Sequence, residues 1–297
     1  MNTYQSSDKT KGYSGRSTCF PDGRDAWHTV EKSYAPHSKY AVVIPAYNEA
    51  ETIRNVVQRS LVFIDDVIVV DDGSTDDTSK NIEDLPVMIM KNSTNMGKAA
   101  CLWKGFQHAI PQKFQAVITL DGDGQHLPED IPRLIEEAER VPQHIIIGAR
   151  QGNWNRQSWH RKVANQIADF WISWASGYAI VDSQSGFRVY PCHLLRMLKC
   201  KHDAEHSFVF ESEVLIEGAK LGYQSRPVSI QSNNRKTMRN SHFRPILDIT
   251  RITKMVAWKL LSRGMYVTGL YQSLRARWSH DQARQEVPTS PPVLPNS

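Results

Sequence analysis

Short apolar segments rich in Val and Ile alternate with amphipathic segments through the first half of this chain. Five of them are predicted strands: residues 40–45, 67–70, 87–90, 116–120 and 144–148. Helices are predicted in the intervals, beginning near Ile53, Asp76, Ala100 and Pro128. Strands that alternate with helices predict an α/β fold, with a mostly parallel sheet and helices on both of its faces.

Unusual polar residues follow four of the predicted strands. They are Tyr47-Asn48-Glu49, Asp71-Asp72, Asp121-Gly-Asp123 and Gly148-Ala-Arg150. Ligands of open α/β sheets bind beyond the carboxyl ends of the strands, and in a parallel sheet these ends share one edge. We therefore expect the four loops to converge on a single site.

The loop after the fourth predicted strand suits a hard divalent cation. In an extended backbone Asp121 and Asp123 point to one side, with Gln125 next along it, and Mg²⁺ is usually held by one or two carboxylates together with water and substrate phosphates. Gly122 and Gly124 let a backbone or a phosphate come close. The sequence offers no G-x-G-x-x-G and no P-loop motif. The sheet is therefore expected to bind phosphate through metal and Arg or Lys, although an acidic turn without a ligand remains the alternative.

The second half is less regular. A helix is predicted at residues 163–180, a turn with a charged tip at 182–188, a helix at 208–221 and an edge strand at 226–231. The first of these helices carries an aromatic stripe that is expected either in the core or along a lipid groove: Ile167, Phe170, Trp171 and Trp174.

A basic amphipathic segment follows. Residues 231–277 contain ten Lys or Arg and one Asp, which points to an anionic partner. An apolar line runs through residues 245–264: Ile246, Ile249, Ile252, Val256 and Leu260. Such a helix either lies in a membrane interface or packs on its own domain, and both interpretations stay open.

Five motifs occur in a fixed order along the chain. They are Val43-Ile-Pro-Ala-Tyr-Asn-Glu49, Val69-Val-Asp-Asp-Gly-Ser-Thr-Asp76, Asn95-x-Gly-Lys98, Asp121-x-Asp-x-Gln-His126 and Asp182-x-x-Ser-Gly-Phe-Arg188. Together they resemble family-2 glycosyltransferases of the GT-A fold, in the branch that contains dolichyl-phosphate mannosyltransferase and bacterial polyprenyl-phosphate glycosyltransferases. The resemblance covers about residues 40–230.

The resemblance implies a role for each matching position. Mg²⁺ or Mn²⁺ on the donor diphosphate would be held by Asp121, Asp123 and Gln125. The nucleotide-diphospho-sugar donor (GDP- or UDP-sugar) would be bound by Pro45, Tyr47, Glu49, Asp72, Lys98 and Gly122, with Arg188 and Arg235 at its sugar-phosphate end. The acceptor, a polyprenyl phosphate, would be bound by Arg150, Arg161 and Asn165. Asp121, Asp123, Arg150 and Arg161 are the expected catalytic residues.

Three departures from the family pattern stand out. Ala99 replaces a common third glycine, and the family's Arg-x-x-Gly-x-Ser-Lys segment is matched only loosely from Arg235, with Arg239 or His242 in place of the lysine. Many bacterial members also continue into transmembrane helices, whereas this sequence has no apolar run of the roughly 20 residues that span a bilayer. We expect a peripheral enzyme, or one with a separate membrane subunit.

The expected organisation has four parts. A flexible arm (1–39) precedes a GT-A catalytic domain (40–231), a basic amphipathic extension (232–280) and a disordered tail (281–297). The first residues lack the apolar segment of a signal peptide, and the four cysteines form no CxxC pair. These features predict a cytoplasmic protein at the inner face of the membrane.

An anionic phosphate acceptor needs no general base, so inversion by single displacement is expected. A saccharide-hydroxyl acceptor would need a base, and Asp182 is the candidate. Two other classes of protein are alternatives. A sugar-nucleotide pyrophosphorylase would have a glycine-rich loop after its first strand, which this sequence lacks. A non-catalytic membrane- or nucleic-acid-binding protein would have no use for the acidic residues at the strand ends. No nucleic-acid partner is expected.

Overall fold

A computed structural model describes residues 39–150, 159–200, 209–231, 245–262 and 264–275. Seven strands form its sheet: β1 (Tyr40–Ala46), β2 (Val67–Asp71), β3 (Met88–Lys91), β4 (Ala116–Thr119), β5 (His144–Arg150), β6 (Arg188–Pro191) and β7 (Gln224–Ile230). The α-helices of the described residues are α1 (Ile53–Leu61), α2 (Lys98–Ala109), α3 (Ile131–Arg140), α4 (Trp159–Ser176), α5 (Cys192–Met197), α6 (Phe210–Lys220) and α7 (Pro245–Leu261), and residues 267–275 are helical as well. Short 3₁₀ turns lie at Lys80–Ile82, Ile110–Gln112, Pro128–Asp130 and Gly264–Tyr266.

The sheet has the strand order β3-β2-β1-β4-β6-β5-β7. All its neighbouring pairs are parallel except the two that involve β6, which runs antiparallel to β4 and β5. Because β6 reverses direction between them, β4 and β5 point the same way. The predicted mostly parallel α/β sheet is confirmed, and β1, β2, β4 and β5 bring their carboxyl ends to one edge.

Two hydrophobic cores lie on opposite faces of this sheet. Along β1, Ala41 and Val43 belong to the core that contains α2, α4 and α6, whereas Val42 and Ile44 belong to the core that contains α1 and α3. Side chains that alternate along a strand point to opposite faces. A strand covered on both faces must therefore be continuously apolar, as the predicted strands are.

Two local predictions differ from the structure. β1 continues past Pro45 to Ala46, because its pairing with β2 extends to the last residue. The helix predicted near Asp76 is reduced to the 3₁₀ turn at Lys80–Ile82. In this segment Ser74 accepts a hydrogen bond from the backbone N–H of Asn48 at 2.9 Å and so joins the loops after β1 and β2.

The second half contains two elements that periodicity did not reveal. The predicted turn at 182–188 ends in strand β6, and α5 follows that strand directly. Helix α4 begins at Trp159 and ends at Ser176, and the next residue, Gly177, closes it in the left-handed region with a φ of 78°. The predicted edge strand is present as β7, which pairs in parallel with β5.

Helix α7 packs on the domain. Of the apolar line predicted in it, Ile252, Val256 and Leu260 are buried in the same core as α4 and α6. Lys259 reaches α6, where its Nζ lies 2.8 Å from Glu213 and 2.5 Å from Glu217. Ile252, Val256 and Leu260 are therefore part of the core and do not face a membrane.

Candidate active site

Four charged residues meet beyond the carboxyl ends of β4 and β5 and the start of α2. We call Lys98, Asp121, Asp123 and Glu211 the central charge cluster. The ammonium group of Lys98, the first residue of α2, lies 2.6 Å from Oδ1 of Asp121 and 3.1 Å from Oε2 of Glu211 on α6. Sequence reasoning did not assign Glu211, because nothing local distinguishes it from a solvated helix residue.

Burial and ion pairing have opposite effects on the pKa values of Lys98 and Asp121. Burial lowers the pKa of Lys98, but the charges and hydrogen bonds of Asp121 and Glu211 outweigh it and raise the pKa above its usual value. Burial likewise raises the pKa of Asp121, yet the charge of Lys98 and the nearby His126 bring it below its usual value. Both groups are therefore ionised and bound to each other.

Asp123 lies in a turn and not in an extended segment, because β4 ends at Thr119. Its Oδ1 accepts the backbone N–H of Gln125 at 2.9 Å. Burial, together with the negative charge of Asp121, raises the pKa of Asp123 to about 6. The turn therefore brings together two carboxylates, as expected, although it does so by folding back and not by strand pleating.

The carboxylates fit a cation that is completed by its substrate. Across the described residues, no group of three or more His, Cys, Asp or Glu side chains is placed to hold a metal ion alone. Mg²⁺ typically takes only one or two protein carboxylates and fills its other positions with water and phosphate oxygens. The mutual repulsion that raises the pKa of Asp123 is relieved by a positive ion between it and Asp121.

Gly186 covers the Lys98–Asp121 ion pair from the side of the segment before β6. A Cβ atom at this position would lie 2.5 Å from Oδ2 of Asp121 and 2.7 Å from Nζ of Lys98. The carbonyl of Gly186 accepts a hydrogen bond from Thr119 at 2.8 Å. The absence of a side chain therefore lets this segment close directly over the pair.

Arg150, the last residue of β5, is bound by Asp182. Its Nη2 donates to Oδ1 at 2.7 Å, and its Nε and backbone N–H both donate to Oδ2 at 2.9 Å. Burial opposes ionisation of Asp182, but Arg150 outweighs burial and holds the pKa of Asp182 below its usual value. The ion-pair partner of Asp182 is therefore Arg150.

Asp169 on α4 holds the turn that carries Asp182. Its oxygens accept the backbone N–H groups of Asp182 at 3.2 Å and Ser183 at 2.8 Å. Burial raises the pKa of Asp169 to about 6. Asp182 itself has a φ of 52°, a left-handed conformation that Asp tolerates better than most residues. Asp169 was not predicted from sequence, since the contact depends on how α4 crosses the turn.

Arg188 is fully buried. Its guanidinium donates to the carbonyls of Ser183 and Ser185 at 2.7 Å, to the carbonyl of Glu211 at 2.8 Å, and to the hydroxyl of Tyr190 at 3.1 Å. The resemblance placed Arg188 at the sugar-phosphate end of the donor. In this structure the side chain is directed into the protein, where it joins the segment before β6 to α6.

His126 is a buried histidine beside the charge cluster. It is 3% exposed, its Nδ1 has no hydrogen-bond partner among the described residues, and its ring lies 5.6 Å from that of Phe187. Burial lowers the pKa of His126 to about 4, so the ring is neutral at pH 7. Sequence analysis quoted His126 within a motif but gave it no role.

The loops after β1 and β2 are bound to each other by hydrogen bonds. We call residues 46–50 and 71–82 the β1–β2 loop network. Asn48 accepts the backbone N–H of Thr75 at 2.8 Å, and the N–H of Glu49 donates to Thr78 at 2.7 Å. Asn81 donates to the carbonyl of Ala50 at 2.8 Å. Glu49, a predicted donor-site residue, is thereby fixed near the edge of the sheet.

Asp72 is 3% exposed, and both of its oxygens are occupied. Oδ1 accepts Nδ2 of Asn92 at 2.9 Å and the N–H of Met96 at 2.8 Å, and Oδ2 accepts the N–H of Gly97 at 2.8 Å. Asp71 similarly accepts the backbone N–H of Ser74 at 2.9 Å. Asp72, predicted to bind the nucleotide, is thus the anchor of the loop that leads into α2.

Gly122 joins the two regions. Its carbonyl accepts the hydroxyl of Thr52 at 2.7 Å, and the same hydroxyl lies 3.2 Å from Glu49. Gly122 is buried, and a Cβ atom at this position would lie 3.4 Å from the carbonyl oxygen of Pro45. Tyr47 is half-buried in the first loop. The structure therefore brings the predicted donor-site residues of β1 and β4 into one continuous surface.

The remaining predicted residues are placed only in part. Asn165 is half-buried on α4, and Arg161 belongs to the same helix, but nothing is described of its side chain. Arg235, Arg239 and His242 lie outside the described residues, as do the predicted arm before residue 39 and the predicted tail.

The aromatic stripe of α4 faces the C-terminal segment. Trp171 and Trp174 stack with ring centroids 5.4 Å apart, and Nε1 of Trp174 donates to the carbonyls of Met265 and Tyr266 at 3.2 Å. Within the described ranges, no helix combines the length and apolar character needed to cross a membrane. Large apolar side chains are nevertheless exposed on α7 and the residues after it: Trp258, Leu261, Val267 and Tyr271.

Comparison with known proteins agrees with this architecture. A model of glycosyl transferase family 2 matches residues 41–202, more than half of the chain's 297 residues. The undecaprenyl-phosphate 4-deoxy-4-formamido-L-arabinose transferase of Proteus mirabilis is 35% identical over 176 residues, which are 55% of this chain and 52% of that protein. The match thus spans about half the length of the Proteus protein.

A second relative and two solved structures extend the comparison. The UDP-N-acetylglucosamine–dolichyl-phosphate N-acetylglucosaminyltransferase of Methanococcus voltae is 30% identical over 53% of this chain and 71% of its own length. Glucosyl-3-phosphoglycerate synthase of Mycobacterium tuberculosis, crystallised with Mn²⁺, uridine diphosphate and phosphoglyceric acid, is 21% identical with a TM-score of 0.56, over 75% of this chain and 78% of that one. The same enzyme with Mg²⁺ and uridine diphosphate is 22% identical with a TM-score of 0.53, over 75% and 78%.

The solved structures support the GT-A fold that the motifs predicted. The two relatives are named as polyprenyl-phosphate glycosyltransferases, the branch of the family that the motifs resemble. The family match covers the strands and loops that form the site, from β1 to beyond β6. This chain belongs to glycosyl transferase family 2.

Proposed function

We propose that this protein transfers a sugar from a nucleotide-diphospho-sugar to a polyprenyl phosphate, with a divalent cation, at the surface of a membrane. The observation that carries the proposal is the pair Asp121 and Asp123, folded into one turn beside Lys98 and near the fixed guanidinium of Arg150. The relatives named for undecaprenyl-phosphate and dolichyl-phosphate transfer support the class of acceptor.

The donor diphosphate is assigned to the central charge cluster. Mg²⁺ or Mn²⁺ held by Asp121 and Asp123, with Gln125 nearby, supplies Lewis acidity when bound. Lys98 adds a fixed positive charge where negative charge develops on the leaving diphosphate. The base and ribose are assigned to Pro45 at the end of β1 and to the β1–β2 loop network, with Tyr47 and Glu49 at its surface and Asp72 beneath it.

The state of Asp182 favours a phosphate acceptor. Asp182 makes three hydrogen bonds with Arg150, and its pKa lies below its usual value. A carboxylate so held is a poor general base for a sugar hydroxyl. An acceptor phosphate is already anionic, so it needs positioning and no base.

Arg150 is suited to that positioning. Its Nε and one N–H of Nη2 donate to Asp182. A guanidinium carries five N–H donors in all. The remaining donors are held in a fixed orientation and match the geometry of a phosphate group. Arg161 and Asn165, both on α4, complete the proposed acceptor site.

Direct attack by the acceptor phosphate on the anomeric carbon predicts inversion of configuration there. The acceptor oxygen forms the new bond, and the nucleoside diphosphate leaves with the electron pair. A product that retains the anomeric configuration of the donor would contradict the single displacement.

The C-terminal helices are proposed to meet the membrane surface. Trp258 is 73% exposed and Val267 68%, and the basic residues Arg251, Lys254 and Arg275 are exposed in the same part of the chain. Exposed aromatic and aliphatic side chains among basic residues suit an anionic lipid surface. The location proposed is therefore peripheral, at the cytoplasmic face, with a separate membrane subunit as a further partner.

The function is tested by transfer of label from UDP- or GDP-sugars. The purified protein is incubated with Mn²⁺, each labelled donor, and undecaprenyl or dolichyl phosphate in detergent. We expect label in a lipid that mild acid cleaves, and strong loss of transfer in Asp123→Ala and Arg150→Met. Arg140→Met, which removes an exposed arginine paired with Glu137, is the matched control.

Two outcomes would replace the proposal. Label that enters a saccharide and not the lipid would favour a hydroxyl acceptor. Donor binding with no transfer to either acceptor, and with equal thermal stabilisation of the wild type and Asp123→Ala by UDP- or GDP-sugar and Mn²⁺, would favour a non-catalytic binding protein.

A further inference from the structure

Glu211 has a buried oxygen that the proposed reaction does not use. Its Oε2 lies 3.1 Å from Nζ of Lys98, whereas its Oε1 is buried without a hydrogen-bond partner among the described residues. A buried carboxylate oxygen without a donor is unfavourable. The position of this oxygen therefore needs an explanation beyond the fold.

Lys98 occupies the carboxylate that the proposed cation needs. Its ammonium group is 2.6 Å from Oδ1 of Asp121. A carboxylate has two oxygens, but an ammonium group and a divalent cation on the same carboxylate repel each other through their positive charges. A cation that binds at Asp121 must therefore displace Lys98 or weaken its ion pair with Asp121.

The backbone of Lys98 is fixed, so only its side chain can respond. The preceding Gly97 and Met96 donate their N–H groups to the buried Asp72 at 2.8 Å, which anchors the start of α2. On the side of the segment before β6, Gly186 leaves no space, since even a Cβ atom there would lie 2.7 Å from Nζ. Glu211 is the carboxylate already in contact with the ammonium group.

Glu211 is also held in place. Its backbone carbonyl accepts Nη1 of the buried Arg188 at 2.8 Å, and the residue lies in the first turn of α6. The Glu211 carboxylate, which would receive the displaced ammonium group, is therefore held in a fixed position close to Lys98, and its Oε1 still has room for a hydrogen bond.

We propose that Lys98 is the resident counter-ion of Asp121 in the cation-free protein, and that Glu211 receives its ammonium group when a divalent cation binds. This inference rests on the proposed function, since it requires the cation site at Asp121 and Asp123. Glu211 is then a positioning residue: it keeps the Lys98 charge beside the donor diphosphate while releasing Asp121 for the metal.

The inference predicts coupling between Lys98 and Glu211 in metal affinity. Without Lys98 the competitor is gone, so Lys98→Met is expected to bind Mn²⁺ more tightly. Without the Glu211 charge the ammonium group has no alternative partner, so Glu211→Gln is expected to bind Mn²⁺ about fivefold more weakly, within the range of couplings between contacting residues. In the double variant the loss caused by Glu211→Gln is expected to disappear.

The experiment is a Mn²⁺ titration followed by electron paramagnetic resonance, without any donor. It compares the wild type with Lys98→Met, Glu211→Gln, the double variant of these two, and Glu213→Gln. Glu213→Gln is the matched control, since Glu213 is on the same helix but pairs with Lys259; it is expected to leave the Mn²⁺ dissociation constant within about twofold of the wild type. Melting temperatures check folding, and Lys98→Gln replaces Lys98→Met if the latter is unstable.

Three results would overturn the inference. Glu211→Gln with unchanged Mn²⁺ affinity would show that Glu211 does not receive the ammonium group. An equal loss with and without Lys98 would show that Glu211 acts only through its charge. In both cases the proposed metal site and transferase activity stand. If the wild type binds no Mn²⁺ alone, the titration is repeated with uridine diphosphate present, since the donor diphosphate is expected to complete the site. No binding there either would remove the inference together with the metal site, whereas coupled binding without sugar transfer would contradict the proposed function alone.

Discussion

The β1–β2 loop network and the central charge cluster are both built from acidic residues at the ends of parallel strands, but they use these residues differently. In the network, Asp72 accepts three hydrogen bonds from the protein and is buried. In the cluster, Asp121 is paired with the ammonium group of Lys98. Burial, and after it the negative charge of Asp121, raises the pKa of Asp123 to about 6.

The difference separates scaffold from reactive site. Carboxylates that are saturated by backbone N–H groups fix loop shape and have little capacity left for a ligand. Carboxylates that are held by a mobile cation, or that repel each other, can exchange partners. An acidic residue at a strand end therefore marks the edge of the sheet where ligands bind. Its hydrogen-bond partners decide whether it holds a loop in shape or is available to a ligand.

The largest expected effect tests the reactive side. Asp123→Asn is expected to lower sugar transfer by about a thousandfold, comparable to the loss of a key electrostatic stabiliser in other enzymes, because the cation loses one of its two carboxylates. The melting temperature is expected to stay near the wild-type value or to rise, since the repulsion from Asp121 is removed. Initial rates with saturating Mn²⁺ and thermal unfolding measure the two effects. A rate within about tenfold of the wild type would remove Asp123 from the metal site.

The next effect tests the scaffold side. Asp72→Ala leaves the N–H groups of Met96, Gly97 and Asn92 without their acceptor, which is expected to cost about 3 kcal/mol of the free energy of unfolding. Asp72→Asn keeps one acceptor oxygen and is expected to lose less. Urea unfolding measures both variants. If Asp72→Ala were as stable as the wild type but bound donor poorly, Asp72 would belong with the reactive residues.

A third effect concerns Arg150 and Asp182, which combine both properties. A double-mutant cycle with Arg150→Met and Asp182→Asn is expected to give a coupling of about 2 kcal/mol in the free energy of unfolding, because the pair is mostly buried and makes two side-chain hydrogen bonds. Independent, additive effects in urea unfolding would mean that the two residues do not support each other and that Arg150 is free to leave Asp182.

The smallest effect sets the reference for an ordinary ion pair in this protein. Lys259→Met is expected to lower the free energy of unfolding by about 1 kcal/mol at pH 7, through its contacts with Glu213 and Glu217. Burial raises the pKa of Glu217, but its bonds to Lys220 and Lys259 outweigh burial and lower it.

The pH dependence of that reference follows from the lowered pKa. A carboxylate whose folded-state pKa is depressed contributes stability above its unfolded pKa and loses it as the pH falls through the folded value. The difference between the wild type and Lys259→Met is therefore expected to be full at pH 7 and to shrink below about pH 4.5, the ordinary range of Glu. An equal difference at pH 7 and about pH 3.5 would show that packing of the lysine stem, and not its charge, holds α7 to α6.

Much of the fold follows from local patterns. The first five strands and β7 are present where short apolar segments predicted them, and helices α1, α2 and α3 lie in the predicted intervals. The signal failed where structure depends on distant partners. β6 is only four residues long and is stabilised by β4 and β5 on either side, so the segment from 182 was predicted as a turn. The helix expected near Asp76 is missing because its polar side chains bond to the neighbouring loop.

The amino-acid sequence by itself determined the parallel sheet, the edge at which its loops converge, and the motifs that mark the family. Those features depend on periodicity and on residue types close together in the chain. Only the tertiary structure decided that Asp182 pairs with Arg150 and that Lys98 lies between Asp121 and Glu211. It also decided that Ile252, Val256 and Leu260 of α7 are buried. An ion pair forms between whichever opposite charges approach within a few ångströms, and that choice is made by the packing of residues far apart in sequence.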